Sequence, residues 1–330
     1  MPCYNEEATL PYLIKSISSV KAKLPNYRLD LLLVNDGSID ETQTVIEKCC
    51  LEYPYIYYRQ LAENSGHQSA LRAGLNSAVN YDAAVMMDAD MQHPPEMIPV
   101  MVEAWEKGGK IVQMVRNDTA TDVGVVKYLA SRSYYVLINI LSDLKLKYGA
   151  SDFRLIDKLV TRQVVDSREN DLFLRGYFSS LRVPKQSVFY KPNKRVAGAT
   201  KYTSRKMLHL AYQGIMQFSE RPLQIAMVIG GLLAGVSFAY GVALTLRYLM
   251  GNHVVSGWTS LTVTILFCFG INFVLIGIVG AYLTQALRLE KQRPEFIVAR
   301  EKLPSVASSS FTAPSRPRMS RRHSSSGRPR

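Results

Sequence analysis

The stretch VMMDADMQHPP sets two carboxylates and an amide, Asp88, Asp90 and Gln92, two residues apart at the end of an apolar run. In an extended chain, positions i, i+2 and i+4 project to one side. Three oxygen donors on one side suit Mg2+ or Mn2+, which keep a few protein ligands and complete their shell with water and substrate phosphate. Such a pair of acids is common alone, and its company is what strengthens it. Asn35-Asp36-Gly37-Ser38, Asn64-Ser65-Gly66 and Arg116-Asn117-Asp118 also each follow an apolar run. Asp36 could hold a ribose or base edge, or cap its own turn. His93 reads as a turn residue before Pro94-Pro95 rather than as a ligand.

The elements that must position these groups follow from the pattern. LDLLLVND, YIYYRQL, YDAAVMM and KIVQMVR read as strands, and ETQTVIEKCCLEY, GHQSALRAGLNSAV and PEMIPVMVEAWEK between them as helices. Strand–helix alternation predicts an α/β domain with a mostly parallel sheet. A first helix is expected near Glu6–Leu24, capped by Asn5 or Thr9, with Leu10, Leu13, Ile14 and Ile17 on its buried stripe. Each polar cluster then falls at the carboxyl end of a strand, where open α/β sheets bind ligands. No G-x-G-x-x-G or G-x-x-x-x-G-K-[ST] occurs, which removes the main support for nicotinamide binding and P-loop hydrolysis.

The net charge of +13 points to an acidic partner such as a phosphorylated substrate or an anionic membrane. Six arginines and no acid lie in 303–330, a Ser/Pro-rich tail whose composition cannot build a core and is expected to be disordered. Basic clusters are not interleaved with aromatics in a nucleic-acid motif, so no nucleic-acid partner is expected. Four cysteines without a C-x-x-C pair read as reduced thiols.

Leu223 to Leu246 and Val254 to Leu287 carry no charge, and each is long enough to cross a bilayer. Lys194, Arg195, Lys201, Arg205, Lys206 and Arg221 precede the pair, Arg288, Lys291 and Arg293 follow it, and a single arginine lies between. Positive flanks predict a hairpin with both termini in the cytoplasm. Gly231 and Gly235 are expected to pack within the hairpin, or less readily in a homo-oligomer, and Asn272 to bond across it. The expected organisation is a catalytic domain 1–205, a juxtamembrane helix 206–222, spans 223–248 and 259–285, an interfacial segment 286–302 and the tail.

In this order, PCYNEE, VNDGSID, ENSGHQSALRAG, MDADMQHPPE, SDFRLID, NDLFLRGYF and KRVAGATKY resemble family 2 glycosyltransferases, and among them the polyisoprenyl-phosphate glycosyltransferases. The likeness covers about residues 2–300. It implies a GT-A fold and transfer of a sugar from a nucleoside diphosphate to polyprenyl phosphate at the inner membrane, with inversion. By that resemblance Pro2, Tyr4, Glu6 and Asp36 contact the nucleotide, and Asp88, Asp90 and Gln92 hold the metal on its diphosphate. Arg116 contacts phosphate, as do Lys127, which stands where an arginine is common, and Ser131. Arg195 and Lys201 clamp phosphates beside the membrane. Asp152 orients the acceptor or serves as base, unless it is a structural partner of Arg154. Asp171 is a second acid candidate, since its neighbour Asn170 cannot ionise.

Two other readings stay open. Processive polysaccharide synthases share the fold but carry Q-x-x-R-W and more spans; neither Trp105 nor Trp258 sits in that context. A non-catalytic membrane scaffold is the other. The opening MPCYNEE bears on it, because relatives place a short strand ahead of this loop. Met1 is therefore expected to be an internal methionine of a longer product.

Overall fold

The computed structural model describes residues 1–117, 139, 148–167, 169, 172–193, 219, 221–250, 257–291 and 294–304. Strands β1 (Pro2–Cys3), β2 (Leu31–Asn35) and β3 (Ile56–Leu61) run parallel, and β8 (Val298–Lys302) lies antiparallel against β3. The second ladder has the order β4 (Ala83–Met86), β6 (Ala150–Asp157), β5 (Ile111–Arg116), β7 (Lys185–Tyr190). The expected mostly parallel sheet is therefore mixed. SDFRLID is the cause: as β6 it enters antiparallel between β4 and β5, filling the place that their crossover helix leaves open.

Helices α1 (Leu10–Ala22), α2 (Thr42–Glu52), α3 (His67–Ala78) and α4 (Ile98–Glu106) join the first strands. The first starts later than the sequence suggests. Thr9 stands at its N-cap, but the Thr9 hydroxyl bonds Glu6 and makes no cap bond. Its stripe holds: Leu10, Leu13, Ile14 and Ile17 are buried, with Val20, against Leu31, Leu33, Met114 and Phe153. Each such side chain contributes roughly 1.5–3 kcal/mol. A second cluster joins Leu71 and Leu75 of α3 to Met86, Ile111 and Ile156, and to Val160 and Val164 of α5 (Lys158–Asp166).

A cavity of about 580 Å³ is lined by Met1, Leu31, Leu32, Ala84, Met86 and Leu155 among others. β1 covers β2 only at Val34 and Asn35, and the Met1 ammonium donates to the Leu32 carbonyl at 2.9 Å.

Helices α6 (Leu174–Ser180), α7 (Arg221–Leu249) and α8 (Trp258–Lys291) follow. Arg221–Tyr240 and Phe267–Thr284 are long and apolar enough to cross a membrane, by length and composition, and almost none of their surface is covered. Two expectations within the pair change. The Asn272 amide donates to the Cys268 carbonyl of its own helix, 3.2 Å away, instead of across the hairpin. Among the described residues nothing comes within 4 Å of a Cβ placed on Gly231 or Gly235, while Gly230 faces Leu275. After α8 the chain returns to the α/β body: Val298–Lys302, expected in an interfacial segment, is β8 against β3. Arg59 pairs with Glu301 at 2.8 Å and Arg72 with Glu295 at 2.9 Å, and Lys302 Nζ donates to the Cys50 carbonyl.

Candidate active site

The opening loop and the loop after β2 interlock. The Asn5 amide N–H donates to Ser38 Oγ, that of Ile39 to Asn5 Oδ1, and that of Glu6 to Thr42 Oγ1, all within 3.0 Å. Asn5 takes φ 55°, a left-handed turn that asparagine tolerates. Pro2 is buried in β1, Tyr4 and Glu6 are half-buried, and Glu6 Oε2 accepts from the Thr9 hydroxyl at 2.7 Å. Asp36 is 3% exposed and both of its oxygens are engaged, with Ser65 N at 2.8 Å and Gly66 N at 3.1 Å. Burial raises its pKa, and the two N–H groups only partly offset that. Asp36 is thus a strut between two strand ends. It fixes the turn at Gly66 (φ 94°) that launches α3.

Asp88 and Asp90 lie just past β4. The expected alternation of faces does not carry on to Gln92, because the chain bends at 89–91 and Met91 takes φ 63°. Asp90 Oδ1 accepts from Gln92 N at 3.1 Å and closes that turn. The Asp88 N–H donates to Nδ1 of buried His93, whose ring stacks on Phe153 with centroids 5.0 Å apart. Burial lowers the His93 pKa, consistent with a neutral ring that accepts at Nδ1. Asp88 Oδ1 is buried and accepts no hydrogen bond among the described residues. Among the described residues no three acidic, His or Cys side chains form a closed cage. A buried, unsatisfied carboxylate oxygen beside a second carboxylate fits a hard divalent ion of the open kind, completed by phosphate and water.

The β4–β6 register sets Met86 opposite Arg154, and so brings Asp152 across from Asp88. Asp152 is 2% exposed and gripped at both oxygens by Arg175 of α6, Nε at 2.9 Å and a terminal nitrogen at 2.7 Å. Arg154, 1% exposed, lies 3.5 Å from the same carboxylate and over the Phe178 ring. His67, the first residue of α3, stands between the two acids, Nε2 being 3.4 Å from Asp88 Oδ1 and 3.6 Å from Asp152 Oδ2. Burial alone would raise the Asp152 pKa, but Arg175, His67 and Arg154 hold it well below the carboxylate range. Burial pulls His67 down, and Asp88 and Asp152 more than reverse it. A carboxylate held so firmly is a weak base.

The structure thus gathers Asp88, Asp90 and Asp152 at one edge, and Arg116 at the end of β5 is close enough to act electrostatically on His93. Asp171, Lys127, Ser131, Arg195 and Lys201 lie outside the described residues. The sequence reading missed His67 and Arg175. A histidine directly behind a strand-end glycine was a signal for the first. Arg175, one cation in the apolar LFLRGYF, offered none.

Relatives extend the picture. A prophage bactoprenol glucosyl transferase homolog of Escherichia coli K12 is 34% identical over 92% of this chain and 98% of its own. Bactoprenol glucosyl transferase of Shigella phage SfV is 33% identical over 92% and 97%. An uncharacterized Bacillus subtilis glycosyltransferase, YkcC, is 33% identical over 91% and 92%. Mannosyltransferase PcManGT from Pyrobaculum calidifontis, solved with GDP-Man and Mn2+, aligns over 83% of this chain and 85% of its own, at 14% identity and TM-score 0.40. The Glycosyl transferase family 2 model matches residues 1–165. With its α/β architecture of mixed, GT-A-like sheets, the chain belongs to glycosyl transferase family 2.

Proposed function

We propose that the protein transfers a hexose-type sugar from a UDP- or GDP-sugar to polyprenyl phosphate. The observation that carries this is the buried Asp88 oxygen just past β4, which accepts no hydrogen bond among the described residues and shares His67 with Asp152. The names of relatives matched over nearly their whole length support the acceptor class. An acceptor phosphate oxygen attacks the anomeric carbon as the bond to the donor diphosphate breaks, and the nucleoside diphosphate leaves with inversion. A bound Mg2+ or Mn2+ would neutralise charge on that leaving group. Asp88, Asp90 and Gln92 would hold it, with Arg116 adding positive charge nearby.

The acceptor is already anionic at neutral pH and needs little help from a base. We therefore assign Asp152 to positioning, through Arg175 and His67. Pro2, Tyr4, Glu6 and Asp36 shape the nucleotide side, and Lys127, Ser131, Arg195, Lys201 and Asp171 stand as candidates for acceptor phosphate and acid roles. α7 and α8 would seat the enzyme in the cytoplasmic membrane with both termini inside. The test is purified protein in nanodiscs with undecaprenyl phosphate, a panel of UDP- and GDP-sugars, and Mg2+ or Mn2+. A lipid-linked product from one donor, lost with chelator, is expected. No product from any donor overturns the reading.

A further inference from the structure

The transfer scheme uses His67 only as a partner of Asp152 and leaves its approach to Asp88 without a role. His67 reaches the site from α3, a helix belonging to neither β4 nor β6, yet its Nε2 lies within 3.6 Å of carboxylates on both. Its own placement is built. Asp36 binds Ser65 N and Gly66 N, Gly66 takes φ 94°, and α3 begins at the next residue. Gln68 adds a further anchor, accepting from Leu174 N one residue before Arg175. About a third of the His67 side chain remains open, so it borders the site without being sealed from it.

The two carboxylates are unequal. Asp152 already has Arg175 on both oxygens, whereas Asp88 Oδ1 has no hydrogen-bond partner, and His67 is the cationic or donor group the described structure sets nearest to it. We propose that His67 is a positioning residue: its imidazole bridges Asp88 to the Arg175-held Asp152 and fixes the Asp88 carboxylate in the orientation that receives the divalent ion. This rests on the nucleotide-sugar reading above. Groups behind a metal ligand commonly change metal affinity 10–100-fold when removed.

The experiment uses full-length protein in detergent and compares wild type with His67→Ala and His67→Gln. Gln restores an N–H donor at similar reach without a ring. Mn2+ affinity in the presence of UDP or GDP is read by electron paramagnetic resonance. His67→Ala is expected to weaken it at least tenfold, to lower kcat, and to leave KM for polyprenyl phosphate unchanged; His67→Gln is expected to recover most of the affinity. Melting in chelator gives a reading that needs no metal: the Tm changes of His67→Ala and Asp88→Asn should be non-additive in the double variant. Unchanged Mn2+ affinity in His67→Ala, no recovery in His67→Gln, or additive Tm changes would each overturn the bridge. If wild type itself binds no Mn2+ with either nucleotide, the transfer reading falls, and the melting cycle still decides whether His67 and Asp88 are coupled.

Discussion

Asp88→Asn is expected to lower kcat for sugar transfer by roughly 10²–10³-fold while moving Tm by no more than about 2 °C. The two halves of that expectation have separate causes. Asp88 Oδ1 accepts no hydrogen bond among the described residues, so an amide in its place loses only the approach of His67 Nε2 at 3.4 Å. The N–H that Asp88 donates to His93 is backbone and stays. What disappears is a negative charge where the proposed cation would sit against the donor diphosphate. Asp90 differs in kind, because its Oδ1 closes the turn at Met91 by accepting from Gln92 N. Asp90→Asn can keep that bond, whereas Asp90→Ala loses both the turn and the charge. Asp90→Ala should therefore abolish transfer with an added drop in Tm. Initial rates at saturating Mn2+, with melting on the same samples, separate these effects; full activity in Asp88→Asn would remove the metal assignment.

Part of this site could be read from the sequence, and the division has a physical basis. Asp88 and Asp90 were legible because carboxylates ending an apolar strand are a local pattern. The stripe Leu10, Leu13, Ile14, Ile17 was legible for the same reason, since a helix declares its buried face in its spacing. The opposition of Asp88 and Asp152 is not local. It depends on β6 entering antiparallel between β4 and β5, a choice made by sheet pairing across more than sixty positions. Arg175 and His67 arrive from two further helices, so their meeting with these acids is not written in their own neighbourhoods. β8 was equally hidden: VAREK has no strand alternation, and it is fixed by ladder bonds to β3 and the Arg59–Glu301 pair. Asp36 shows the converse. Its position at a strand end suggested a nucleotide contact or a cap on its own turn, and it also ties that strand end to the Ser65–Gly66 turn, one N–H on each oxygen.

Asp152→Ala is expected to be the most destabilising single change at the site, because of what it leaves behind. Arg175 is about a quarter exposed and can turn to water once its partner is gone. Arg154 cannot. At 1% exposure it stays buried with the Ser151 carbonyl and the Phe178 ring, and loses the Asp152 carboxylate 3.5 Å away. Removing one partner from a buried pair costs roughly 3–5 kcal/mol, or about 10 °C or more in Tm for a catalytic body of this size. The reverse change, Arg175→Met, leaves Asp152 buried but still 3.5 Å from Arg154 and 3.6 Å from His67, so its cost should fall at the low end. The order of the two variants is the test. Pairing Asp152→Asn with Arg175→Met should return much of the lost Tm, since no lone acid remains, yet leave kcat depressed, since His67 and Asp88 lose their anchor. Full recovery of both would make the Asp152–Arg175 pair purely structural, and a larger loss from Arg175→Met than from Asp152→Ala would show that Arg154 does not depend on this acid.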